Sequence, residues 1–89
     1  MNPAAQLMTE LATWIDSVLL RGLRQLRLDD VPALERMVQS ADALGMDTLV
    51  ELLTRQMEHI RQYALHPAEP EQWSDSFFRL AAYIKMARF

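Results

Sequence analysis

The sequence has 89 residues, a net charge of −3 and no cysteine, with 51% apolar and 24% charged residues. That is one domain's length, 1–89, and a domain this small buries roughly 60–65% of the surface of its unfolded chain, enough for one core but little more. The apolar fraction is too high for a disordered chain, the charged fraction too high for a membrane protein, and the acidic balance lacks the broad basic footprint of a nucleic-acid binder. Without cysteine there are no disulfides, no thiol catalysis and no thiolate metal sites.

The first positive side chain is Arg21, so the opening lacks the basic start of a signal peptide. The apolar run from Leu7 to Leu20 is interrupted by Glu10 and Asp16, which argues against a membrane span. The chain reads as cytoplasmic.

Apolar residues recur every three or four positions and no segment alternates with period two, the pattern of amphipathic helices. Asn2 is the first N-cap, with Pro3 at the first helical position. Met8, Ala12, Ile15, Leu19, Leu23 and Leu26 then form one continuous face, predicting a long first helix to about Leu28. Gly22 falls inside it, where its helix cost points to close approach of another helix.

Asp29 and Asp30 offer the next N-cap, and Pro32 fits only a first turn. Leu34, Met37, Val38, Ala41 and Leu44 make the buried face of a second helix, which Gly45 stops. Asp47 caps a third, with Leu49, Leu52, Leu53, Met57, Ile60 and Ala64 turned inward. The short link makes these two a central helical hairpin. His66 to Gln72 holds Pro67 and Pro70 and reads as a loop. A fourth helix, starting between Pro70 and Ser74, carries Trp73, Phe77, Leu80, Ala81 and Ile84 on one side. Phe78, Tyr83, Met86 and Phe89 are spread over its other sides.

The chemistry-bearing motifs fail on inspection. Ala41 to Asp47 has the spacing of a helix-turn-helix corner, but Ser40, Glu51 and Thr54 fall where that motif needs apolar residues, and Asp47 and Glu51 would face phosphates with the wrong sign. His59 and His66 share a helix face but lie about 10 Å apart along the axis, too far to ligate one ion. No Glu-x-x-His pair and no His-Glu-x-x-His motif occurs. Glu10, Asp16, Glu51 and Glu58 fall on solvent faces, and no serine sits in a strand-turn-helix elbow. The chain therefore reads as non-enzymatic, without metal or cofactor.

Apolar excess is the more informative feature. Leu7, Leu11, Trp14 and Val18 form a second stripe flanking the first on the opening helix, and together the two cover nearly half its circumference. The fourth helix is apolar nearly all round. More apolar surface than one small bundle hides marks a site for a protein partner or for self-association. The residues expected to carry it are Leu7, Leu11, Trp14, Val18, Trp73, Phe78 and Phe89, with the aromatic side chains as anchors. Arg21, Arg24 and Arg27, three apart, line a stripe that fits an anion or nucleic acid, although cations at a helix C-terminus also offset its dipole.

Leu19-Leu20-Arg21-Gly22-Leu23, Asp30 with Leu34-Glu35, Ala41 with Leu44-Gly45-Met46, and Leu49 with Leu52-Leu53 form a pattern over about half the chain. It resembles small helical bacterial proteins encoded beside SWIM zinc-finger proteins, in gene groups that also hold an AAA ATPase and a von Willebrand A-domain protein. The resemblance implies an accessory subunit of a multi-protein system and carries over no catalytic or ligand residues.

The expectation is thus an all-α domain, a small four-helix bundle with a long first helix and a central hairpin, acting as a protein–protein interaction module. It would be a homo-oligomer or the small subunit of a larger complex. Alternatives are a nucleic-acid binder working through the arginines, an acidic inhibitor of such a binder, and a carrier or enzyme with a pocket between the first and fourth helices.

Overall fold

The computed structural model describes residues 2–22, 26–65 and 74–87. Among them are four α-helices and no strand: α1 (Pro3–Arg21), α2 (Val31–Ala43), α3 (Asp47–Leu65) and α4 (Ser74–Ala87), with a 3-10 turn at Leu28–Asp30 leading into α2. None of these helices is long and apolar enough to cross a membrane.

Helix α1 starts as its sequence dictates. The Asn2 side chain accepts a hydrogen bond from the Ala4 N–H at 2.9 Å, and Pro3, which has no N–H to leave unpaired, occupies the first turn. It ends earlier than the apolar spacing predicts. Gly22 takes φ 94 and ψ 145, outside any helical region, and its N–H caps the Val18 carbonyl at 2.8 Å. A Cβ built there would meet nothing within 4 Å. Gly22 is therefore a helix stop and not a site of close helix approach. Leu26 is still buried, but from backbone beyond the helix. Leu23 lies outside the described residues.

The α2–α3 corner is a Schellman motif. The Met46 N–H reaches back to the Ala41 carbonyl at 2.9 Å and the Gly45 N–H to Asp42 at 3.0 Å, with Gly45 at φ 72. Met46 then packs its side chain against the core. Leu44, expected inside, is the C-cap residue and points outward.

The core is contributed by all four helices. Leu34, Met37 and Ala41 from α2 face Leu49, Leu53, Met57 and Ile60 from α3, while Phe77, Leu80 and Ile84 come from α4. Leu52 and Val38 are half-buried, and Ala64 is exposed.

From α1 come Leu7, Leu11, Trp14 and Val18, at 0 to 9% exposure, together with Met8 and Ile15. This corrects the reading of the second stripe as a free interface. The arc of apolar residues on α1 is as wide as its spacing predicts, but it is centred on Leu11 and Val18, and Leu19 from the first stripe is turned out at 54% exposure. Trp14 meets Phe77 with ring centroids 6.1 Å apart at 52°, which ties α1 to α4.

Candidate functional site

Among the described residues, three places bring polar or exposed apolar groups together. The first is Asp30, at the mouth of α2. It has the helix-entry position, but its carboxylate does not cap α2. Oδ1 accepts from Arg21 Nη2 at 2.9 Å and from the Trp14 indole N–H at 3.4 Å, and Oδ2 accepts from the Arg27 backbone N–H at 3.0 Å. One buried carboxylate thus ties the end of α1, the connecting segment and the core tryptophan together. Its polar needs are met from within the chain, so the arrangement is a structural clasp.

This clasp corrects the arginine stripe. Because α1 ends at Arg21, Arg21 and Arg27 do not share a helical face, and the Arg21 guanidinium is engaged by Asp30. Arg24 lies outside the described residues.

The second place is the α3–α4 seam. His59 Nδ1 lies 2.7 Å from Ser76 Oγ, and the Ser76 hydroxyl donates to Gln56 Oε1 at 3.4 Å. With Nδ1 carrying the hydrogen, donors run from His59 through Ser76 to Gln56. Gln56 is fully buried, and its Nε2 has no hydrogen-bond partner. A serine against a histidine is the first element of a hydrolytic site. Ser76 is almost wholly buried, however, and no acyl substrate reaches its oxygen unless α4 moves away. Sequence reasoning missed this cluster. The signal was present, since Gln56 falls three past Leu53 and four before Ile60, on the apolar face of α3.

The third place is a groove on the outer surface between α1 and α4, of about 660 Å³. Ala12, Ile15 and Asp16 line it from α1, and Phe78, Ala81, Ala82, Ile84 and Lys85 from α4. The spacing explains the placement: 12, 15 and 16 are one face of α1, and 78, 81, 82 and 85 one face of α4. The three alanines of the lining are short, so they leave the groove open to solvent. Phe78 stands beside it at 53% exposure, its ring edge-on to Phe77 at 5.6 Å, so a core residue holds the exposed ring in place. Leu19 continues the α1 face, and Met86, at 72% exposure, continues the α4 face. Asp16 and Lys85 are exposed and stand on the two helices that form the walls. A groove does lie where a ligand pocket was envisaged, but it is open to solvent, and its exposed lining is almost evenly divided between polar and apolar area.

Of the residues expected to form an interface, Phe78 alone is described and exposed. Leu7, Leu11, Trp14 and Val18 are core, and Trp73 and Phe89 lie outside the described residues. Among the described residues no group of three His, Cys, Asp or Glu side chains is placed to hold a metal ion. No known protein family, curated protein or solved structure matches this chain.

Proposed function

We propose that this domain is a non-enzymatic protein–protein interaction module that docks through the groove between α1 and α4. The observation that carries the reading is the exposed Phe78 ring beside a floor of Ala12, Ala81 and Ala82. An aromatic ring held in place by its neighbours loses little entropy on docking, and small floor residues leave room for an incoming apolar side chain. Leu19 and Met86 enlarge the apolar patch, and Asp16 and Lys85 give it the charged rim usual for such surfaces. An accessory or adaptor role in a larger assembly, as the resemblance to the SWIM-associated helical proteins implies, belongs to the same reading.

The test is a photo-cross-linking amino acid placed at position 78 in the living host, with position 51 on the exposed side of α3 as control. Adducts formed from position 78, absent from position 51 and abolished by Ala82→Glu support docking at the groove. Equal adduct patterns from both positions, or none from either, overturn it.

A further inference from the structure

Asp16 and Lys85, like the exposed Glu10, Arg36 and Glu58, have no ion-pair partner among the described residues, and what sets them apart is their place on the two walls of one groove. Several other exposed charges pair within the molecule: Arg55 with Glu51 at 3.3 Å, Arg61 with Glu35 at 3.1 Å and Arg79 with Asp75 at 2.8 Å. Asp16 and Lys85 instead line the α1–α4 groove together, one from each wall.

A surface that docks on itself about a two-fold axis must carry its own complement, because each residue i that meets j also has j meeting i in the reverse direction. This groove meets that condition twice. It offers a protruding ring, Phe78, beside a shallow floor of Ala12, Ala81 and Ala82. It also offers one negative and one positive side chain. A foreign partner would need to supply a matching recess, a matching knob and both charges, and a second copy brings all of them. A net charge of −3 per chain leaves only modest repulsion between copies.

Resting on the docking reading above, we infer that the occupant of the groove is a second copy of this chain. The two copies meet about a two-fold axis, Phe78 of each over the alanine floor of the other, and Asp16 of each faces Lys85 of the other. The paired charges set the alignment of the two copies, and the apolar contact supplies the affinity.

Charge-reversal mixing tests this. Full-length wild-type chain, Asp16→Lys and Lys85→Asp are each weighed by light scattering over a concentration series, then the two variants are mixed in equal amounts. The wild type is expected at about twice the 10.3 kDa chain mass. Each variant alone sets like charges against each other at both contacts, weakening dimerisation by about 100-fold. The mixture restores both contacts, since one variant presents lysine at both positions and the other presents aspartate at both, and it returns to the dimer mass. Helical circular dichroism checks the fold of each, and Ala82→Glu, at another exposed groove position, serves as a dimer-breaking variant if a reversal loses helicity. A wild type that stays at the single-chain mass throughout, single variants that dimerise as well as wild type, or a mixture that fails to recover overturns the second-copy assignment. If position 78 nonetheless cross-links specifically to a foreign protein, groove docking stands and only the identity of the occupant is lost.

Discussion

Arg21 and Asp30 close the connection between the first two helices: the guanidinium Nη2 donates to Oδ1 at 2.9 Å, across the helix stop at Gly22. The same carboxylate holds the Trp14 indole and the Arg27 backbone N–H, so its removal leaves three donors to find other partners. Asp30→Ala is expected to cost about 2 kcal/mol, discounted because the Arg21 side chain is still one-third in water. That is about 8–16 °C in melting temperature for a domain of this length. Asp30→Asn, which keeps one acceptor oxygen, should cost about half as much. Thermal melts followed by circular dichroism measure both, and equal melting temperatures for wild type and Asp30→Ala would remove the clasp.

Trp14 and Phe78 are both aromatic residues of the kind that anchor interfaces, and they should behave oppositely. Trp14→Glu puts an unpaired carboxylate into the core against Phe77, a cost of about 4–5 kcal/mol or more. Total stability for a chain of this length is about 4–13 kcal/mol, so the variant is expected to unfold or melt near room temperature. Phe78→Glu removes a half-exposed ring and its edge-on contact with Phe77, and should cost only about 1–2 kcal/mol, leaving the chain folded while abolishing docking. Urea unfolding distinguishes the two, and a well-folded Trp14→Glu chain would contradict its place in the core.

Gln56 is a buried amide with an unmet donor, so an apolar residue of similar length should improve on it. Gln56→Met removes the orphaned N–H and fills the same space, with an expected gain of about 1 kcal/mol. Denaturant midpoints at unchanged slope would report it. A loss of stability would mean that the Ser76 hydroxyl depends on the glutamine oxygen more than the 3.4 Å separation implies.

The two glycines should differ in what they tolerate. Gly45 at φ 72 lies in the left-handed helical region, which asparagine also enters, so Gly45→Asn should cost about 0.5 kcal/mol. Gly22 at φ 94 and ψ 145 lies near a region open almost only to glycine, and Gly22→Asn should cost about 2 kcal/mol. Neither site is crowded, so the difference is one of backbone strain alone. Comparable losses at both positions would refute that account.

How far the sequence reaches depends on which physical signal each element carries. The Asn2-Pro3 start, the Gly45 corner and the inward Leu34, Met37 and Ala41 of α2 and Phe77, Leu80 and Ile84 of α4 follow from local rules, and the structure has them, whereas Leu44, expected inward, is turned out. Gly22 reads as part of a helix because Leu23 and Leu26 continue the apolar spacing past it. Periodicity does not separate a helix from a chain that leaves the helix and still returns a leucine to the core. The two stripes on α1 show a second limit: spacing defines the width of an apolar arc, but the neighbouring helices decide its centre. Phe78 is legible as an aromatic residue off the main face of α4. The groove beside it is not, because Ala12 and Ala81 come to one groove only when α1 and α4 pack side by side.

The glycine corner between α2 and α3 also orders events in time. Closing a short loop costs little chain entropy, so the hairpin is expected to assemble first, with α1 and α4 settling on it afterwards. Leu34→Ala should therefore slow folding, whereas Leu11→Ala should mainly hasten unfolding. On the ribosome the consequence is sharper. One wall of the α1–α4 groove belongs to α4, which is made after α1, α2 and α3, so a nascent chain carries only the α1 wall until α4 has folded back onto it.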